Sequence, residues 1–268
     1  NSTLACSIAA KKLNIAVAHV EAGLRSRDMS MPEEINRRIT DAISDIFFVS
    51  EPAGRDNLLK EGFAAESIFH VGNVMVDNLC YQSEKLKLLD FSKTIMSDLK
   101  SAFKAYGVVT LHRPSNVDDP SVLRLISQTL KEISVDLPLI FPMHPRTKSQ
   151  LVKHGILLGP NVHVTDPLPY MEFLYVWKDA RVLITDSGGL QEESTAFGVA
   201  CLTLRENTER PITVTEGTNK LVGRDMGALK SEVAAILRGN MKVGVIPALW
   251  DGRASQRIVE TLRAYMLS

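Results

Sequence analysis

Cysteine is scarce and scattered: Cys6, Cys80 and Cys201 stand far apart, each beside apolar residues. No metal-ligand spacing links them, and buried thiols in a reducing, cytoplasmic compartment are expected. The six histidines form no HxxxH or other paired pattern, so no structural metal is expected. Charge of one sign is not in surplus, because Lys plus Arg and Asp plus Glu both number 31. That balance argues against a nucleic-acid or membrane-surface protein and leaves room for a local anion site. No apolar run nears the roughly 18 residues needed to cross a bilayer. Solenoid-length repeats, low-complexity tracts and a signal-peptide pattern are missing as well. The sequence also opens without methionine, entering a helical pattern with Leu4, Ala5, Ile8 and Ala9 on one face. An α/β unit that begins with a helix has lost a strand, so the chain reads as lacking its original start.

What is present is a core-forming composition. Hydrophobic residues make up 45% of 268 positions, enough for one large domain or two of about 130 residues. Strand-like runs at 15–20, 46–50, 68–71, 108–111, 139–143, 162–164, 182–185, 200–204 and 220–222 alternate with helical stretches. Several of those stretches open on proline, at Pro52, Pro120 and Pro211. Such alternation predicts parallel sheets with helices on both faces. Between about 83 and 105 the pattern turns polar, helical and strand-free. The expectation is an α/β protein of two doubly wound, Rossmann-like domains. They span 1–90, incomplete at its amino terminus, and 106–245, joined by a helical linker over 91–105. An amphipathic helix within 246–268 carries Ile258, Leu262 and Tyr265 on one face and packs back toward the first domain.

His19-Val20-Glu21-Ala22-Gly23-Leu24-Arg25 follows the apolar run Ile15-Ala16-Val17-Ala18. Glu21 therefore sits just past the carboxyl end of a buried parallel strand, the rim where open α/β sheets bind ligands. Pro32 suits the first position of a helix, with Glu33 and Glu34 in the turn where the helix dipole favours negative charge. A carboxylate at a strand tip and another at a helix start suit proton transfer on a small substrate. Glu33 and Glu34 also stand four residues before Arg37 and Arg38, so plain i,i+4 ion pairs account for them equally well. Ile35, Ile39 and Ile43 repeat at helical spacing and are expected in the core.

Four further motifs follow strands of the second half. Thr185-Asp186-Ser187-Gly188-Gly189 leads from Val182-Leu183-Ile184 into a helix, and its glycines and free amides make a phosphate seat. It is neither a Walker loop nor a GxGxxG fingerprint, and a tight turn would need one glycine anyway. Glu193, one turn inside, suits two ribose hydroxyls. Arg210 lies in the charged loop 204–211, where a guanidinium could reach a diphosphate or stay solvated. Thr110-Leu111-His112-Arg113-Pro114-Ser115-Asn116 begins at a strand end, which points His112 toward an interdomain cleft. Met143-His144-Pro145-Arg146 repeats the theme at the next strand. Asp166-Pro167-Leu168-Pro169-Tyr170 and Phe173 could sandwich a planar base, with core packing the equal alternative.

Together these residues resemble the UDP-N-acetylglucosamine 2-epimerases of the non-hydrolysing type, from Ala18 to the carboxyl end. The match rests on His-Val-Glu-Ala-Gly-Leu-Arg, Pro-Glu-Glu-x-Asn-Arg, Thr-x-His-Arg, Asp-Ser-Gly-Gly-x-Gln-Glu-Glu and Thr-Glu-Arg-Pro in that order. The resemblance implies the two-domain glycosyltransferase-B fold with a nucleotide sugar in the cleft, and neither NAD nor metal. It implies a UDP-sugar as partner and a homodimer. It makes Glu21 and Glu33 the acid/base carboxylates and sets His112 against the diphosphate. Ser187, Gly188 and Gly189 would bind phosphates, Glu193 the ribose, Arg210 an anion and Phe173 the uracil, with Arg113 and His144 also on the substrate. The implied reaction epimerises carbon 2 by eliminating and re-adding UDP through 2-acetamidoglucal. A modified UDP-sugar, hydrolytic release of the sugar, glycosyl transfer and a non-catalytic binding remnant are the alternatives. Two departures stand out: Ser115 replaces a glutamate of many relatives, and Leu168 a glutamine of some. The family's Arg-Pro-Glu loop and Gly-Asp turn would precede Asn1; if this chain were all there is, negligible turnover and poor stability would be expected.

Overall fold

The computed structural model describes residues 1–92 and 94–267. In chain order the elements are α1 (Ser2–Lys12), β1 (Ala18–Val20), α2 (Pro32–Ala42), β2 (Ile46–Val49), α3 (Pro52–Lys60), β3 (Ile68–His70), α4 (Val74–Leu86) and α5 (Ile95–Ala102). There follow β4 (Gly107–Thr110), α6 (Pro114–Val117), α7 (Pro120–Ile133), β5 (Leu139–Pro142), α8 (Pro145–Lys153), β6 (Val162–Thr165) and α9 (Tyr170–Trp177). The last are β7 (Val182–Thr185), α10 (Gly188–Phe197), β8 (Cys201–Thr203), α11 (Pro211–Thr215), β9 (Asn219–Leu221), α12 (Met226–Leu237) and α13 (Ala254–Leu267). Each expected strand forms: 182–185 to the residue, 162–164 with Thr165 added, and the others shortened or shifted at their ends. The helix-opening prolines occupy first-turn positions, where a missing N–H costs nothing.

The chain makes two compact α/β units. One comprises Asn1–Tyr81, Thr208–Thr215 and Pro247–Ser268; the other comprises Gln82–Asn207 and Glu216–Ile246. Thr208–Thr215 therefore goes with the first unit, although it falls inside the range 106–245.

The first unit holds the parallel sheet β1-β2-β3. All four residues of β2 are buried. Phe47 and Val49 face Ala22, Leu58 and Ile68, while Ile46 and Phe48 face Val71 and Ile258. Each such side chain contributes about 1.5–3 kcal/mol by leaving water. Helix α13 docks through Ile258 and Leu262, and Asp77 accepts from the Ala254 and Ser255 amides at 3.0 and 2.6 Å. Tyr265 stays half exposed.

Several burial expectations are corrected here. Ala18 and Val20 of β1 are exposed and His19 between them is buried, as in an edge strand rather than a central one. In α1 only Ser7 is buried; Ala5, Ile8 and Ala9 are exposed. Ile35 and Ile39 of α2 are exposed too, because the face that turns inward carries Glu34, Thr40 and Asp41. Cys6 is exposed and Cys80 half-buried; Cys201 alone is buried, and burial pushes its thiol up to about 11.

The second unit is a six-stranded parallel sheet in the order β6-β5-β4-β7-β8-β9. From β4 the chain winds outward through β5 and β6, then returns to place β7 on the other side of β4. The order thus reverses between β4 and β7, and ligands bind open α/β sheets in the crevice outside that point. A large core lies on this sheet, with Leu123, Ile126 and Leu130 of α7 packed beside Val109, Phe141, Val182 and Ile184.

Candidate active site

In the first unit the candidate residues gather just past β1. Glu21 takes a left-handed conformation, φ 65°, which costs a residue with a Cβ about 1–2 kcal/mol. Its Oε1 is buried and accepts no hydrogen bond. The nearest cation is Arg210, whose Nη2 lies 3.8 Å away. Arg210 also pairs with Glu209 at 3.1 Å. Arg37 lies in the same field: burial lowers its pKa, and the charges of Glu209 and Glu34 oppose that shift. Arg210 thus stands between two carboxylates, Glu21 and Glu209.

The adjacent glutamates of α2 divide their labour. Glu33 is exposed and forms no ion pair among the described residues. Glu34 is 1% exposed, with Arg37 at 3.5 Å and its main bonds elsewhere. The i,i+4 pairs expected with Arg37 and Arg38 are replaced by this single i,i+3 contact and by bonds to the loop after β1.

In the second unit the residues converge on the β4/β7 switch point. Thr110 and Thr185 pair in register there, with hydroxyls 2.6 Å apart. Asp186, fully buried at the end of β7, accepts from the His112 and Arg113 amides at 3.1 and 2.9 Å and from Asn116 Nδ2 at 3.2 Å. His112 Nδ1 lies 2.8 Å from its Oδ1. Burial alone would raise the Asp186 carboxyl, but the His112 ring and these amides outweigh it and hold it below its ordinary value. The carboxylate fixes the His112 ring through Nδ1, leaving Nε2 on the half-exposed side for a ligand. Arg113 Nε donates to the Asp186 carbonyl at 2.9 Å. The sequence motif by itself gives Asp186 no role. Its position next to a strand end and two residues before a glycine pair is the signal that would have identified it.

Ser187 caps α10, and Gly188 and Gly189 form its first turn. A Cβ on Gly189 would meet nothing within 4 Å. The Ser187 amide donates to Thr185 Oγ1 at 2.9 Å, so the helix start is open for an anion on the Gly188 and Gly189 amides. One turn on, Glu193 is 6% exposed and accepts from Tyr170 Oη at 3.1 Å. Burial raises the Glu193 carboxyl, and the Tyr170 bond partly offsets this. Burial and the Glu193 charge also push the Tyr170 phenol up. The Tyr170 hydroxyl therefore serves as a hydrogen-bond donor to Glu193.

Beside the switch point lies a pocket of about 190 Å³ lined by His112, Pro142, His144, Pro167, Leu168 and Phe173. The His112 and His144 rings stand 6.0 Å apart. His144 Nδ1 accepts from the Arg146 amide at 3.1 Å and so caps α8. Phe173 faces this pocket rather than the core, and a flat, mostly apolar slot of this kind suits a planar base. Among the described residues no three His, Cys, Asp or Glu side chains group as a metal site. No helix among them is long and apolar enough to cross a membrane.

A family model described as UDP-N-acetylglucosamine 2-epimerase matches residues 1–263. The UDP-N-acetylglucosamine 2-epimerase of Methanocaldococcus jannaschii is 40% identical over 270 residues, covering 98% of this chain and 72% of that protein. The UDP-2,3-diacetamido-2,3-dideoxy-D-glucuronate 2-epimerase of Pseudomonas aeruginosa is 40% identical over 268 residues, with 98% and 72% covered. A crystal structure of the M. jannaschii enzyme with UDP-GlcNAc and UDP superposes with a TM-score of 0.84 at 39% identity, covering 98% of this chain and 73% of that one.

Proposed function

Because the chain belongs to the UDP-N-acetylglucosamine 2-epimerase family, we propose that it inverts carbon 2 of UDP-N-acetylglucosamine to give the N-acetylmannosamine sugar. The carbon 2 hydrogen has no adjacent carbonyl to acidify it, so simple deprotonation is slow. Coupling its loss to departure of UDP from carbon 1 solves this. The C–H electrons become the carbon 1–carbon 2 double bond of 2-acetamidoglucal while the C–O electrons leave with the diphosphate. UDP then re-adds at carbon 1 and a proton arrives on the opposite face of carbon 2.

In this assignment the second unit binds UDP. The Ser187 hydroxyl and the Gly188 and Gly189 amides take phosphate oxygens, Glu193 the ribose hydroxyls, and Phe173 with His144 the base. His112, oriented by Asp186, and Arg113 stabilise the departing diphosphate, as preorganised donors do where charge develops. Glu21 and Glu33 serve as the proton-transfer groups, each worth about 10²–10⁴-fold, with Arg210 holding anionic charge near Glu21. The observation that carries the assignment is the Glu21 carboxylate. It is held in a costly backbone conformation 3.8 Å from a guanidinium, with one oxygen buried and no hydrogen-bond donor on it. The side chain is partly exposed, so a carboxylate oxygen that no donor occupies can come within reach of a substrate proton.

Incubation of the full-length protein with UDP-N-acetylglucosamine in heavy water tests this. Deuterium at carbon 2 of a UDP-linked N-acetylmannosamine is expected. Free sugar plus UDP would indicate hydrolysis instead, and UDP binding without exchange would leave only a binding protein. A second substrate is favoured by one observation: the P. aeruginosa relative named for a diacetamido-glucuronate is as similar as the M. jannaschii one. Exchange confined to that uronate would select it.

A further inference from the structure

Helix α2 turns two carboxylates inward that the proposed chemistry does not use. Glu34 and Asp41 are seven residues apart, hence on one face of the helix, and are 1% and 0% exposed. Buried carboxylates are costly unless their oxygens are matched. Both are matched by a single stretch of chain, the loop from His19 to Arg27.

Asp41 Oδ1 lies 2.6 Å from His19 Nδ1, and its Oδ2 takes the Gly23 amide at 3.1 Å and Arg25 Nη1 at 2.7 Å. Glu34 Oε2 takes the Ser26 amide and hydroxyl at 2.9 and 3.0 Å, and its Oε1 takes the Arg27 amide at 3.2 Å. The outer side of the loop is held just as closely. Asn57 Nδ2 donates to the Gly23 carbonyl at 2.9 Å, and a Cβ on Gly23 would meet the Gly54 carbonyl oxygen at 2.2 Å. Glu61 takes the Arg25 fork at 2.9 and 2.7 Å.

Glu21 lies inside this stretch, in its left-handed conformation. Such backbone persists only where the surroundings over-determine it. We infer that Asp41 and Glu34 are positioning residues for Glu21: a two-point clamp on α2 that fixes the loop and so aims the carboxylate. The inference rests on the assignment of Glu21 as a proton-transfer group.

The test is a double-mutant cycle on carbon 2 deuterium incorporation in the full chain. Asp41→Asn keeps the shape and removes the charge. It is expected to lower kcat about 10–100-fold with KM within about twofold, since misplacement by about 1 Å costs that much. With Glu21→Gln already present, the same change should cost under about threefold, because groups acting as a unit are not additive. Should Asp41→Asn fail to fold, Glu34→Gln is read in the same cycle. Unchanged kcat in a folded Asp41→Asn protein, or fully additive losses, would overturn the inference. If Glu21→Gln turns over normally, or the wild-type chain exchanges no deuterium, the functional assignment fails and hydrogen exchange judges the clamp. Amides of residues 22–27 should exchange at least about tenfold faster in Asp41→Asn than in wild type, a difference of about 1.4 kcal/mol in opening. Equal protection would sink the clamp independently.

Discussion

Alanine at Gly189 should weaken UDP binding and leave the fold intact. Gly189 is the second residue of α10, its φ is not positive, and an added Cβ would meet no heavy atom within 4 Å. Alanine also has the better helix propensity, by up to about 1 kcal/mol at interior positions and less in a first turn. The melting temperature should therefore hold or rise slightly. A diphosphate seated on the helix start needs the backbone itself, and the new methyl occupies the space through which it approaches. Losing one charge-assisted hydrogen bond costs about 1.5–3 kcal/mol, which is about a tenfold to hundredfold rise in Kd for UDP. Calorimetric titration with UDP, beside a thermal melt, reads both quantities. Wild-type affinity in the folded Gly189→Ala protein would place the diphosphate elsewhere and refute the role given to the glycine pair.

Gly23→Ala should do the reverse. Its φ of 76° and a 2.2 Å approach to the Gly54 carbonyl oxygen combine left-handed strain of about 1–2 kcal/mol with an overpacking cost of about 1–3 kcal/mol. Chemical denaturation giving a loss below about 1 kcal/mol would contradict the close approach. Asp186→Asn should destabilise by about 1.5–3 kcal/mol at neutral pH, as losing hydrogen bonds to a charged group does where the cationic partner, His112, is half exposed. The folded carboxyl is held below its unfolded value of 3.8, so its stabilisation is complete above that pH and lost as pH falls through the folded value. Denaturation curves of the two proteins should therefore converge in strong acid, and a gap that persists there would refute the linkage. Tyr170→Phe removes the bond that restrains the raised Glu193 carboxyl. Ionised Glu193 suits the ribose hydroxyls, so UDP affinity should rise with pH as that group ionises, and the rise should move to higher pH in the variant. Superimposable pH profiles would dissociate Glu193 from the nucleoside.

The strand positions were legible because buried parallel strands read as short apolar runs, and the turn after each one carried its chemistry in plain view. Glu21, His112 and Ser187 all lie just past a strand end, where the sheet presents them. The phase of α2 was not legible. Ile35 and Ile39 mark a helical stripe, yet the helix turns its polar side inward, because Glu34 and Asp41 have backbone amides to satisfy there. Periodicity gives the repeat of a helix, and hydrogen-bond demand from a neighbouring loop can choose the face. The seven-residue spacing of those carboxylates was the available signal. The hydroxyl of Tyr170 is a second case: an aromatic next to prolines suggests stacking or core packing, and its hydrogen bond to Glu193, 3.1 Å away, has no sequence signal. The grouping of Thr208–Thr215 with the first unit could not be read from a chain order that places it between β8 and β9.

Positional isotope exchange tests the elimination most directly. UDP-N-acetylglucosamine carrying oxygen-18 in the bond between carbon 1 and the β-phosphorus is incubated with the protein, and recovered substrate is examined by phosphorus NMR. Cleavage of that bond with UDP retained lets the β-phosphate rotate, so the label should scramble into non-bridging positions alongside deuterium uptake at carbon 2. Deuterium uptake with the label still wholly in the bridge would contradict the account.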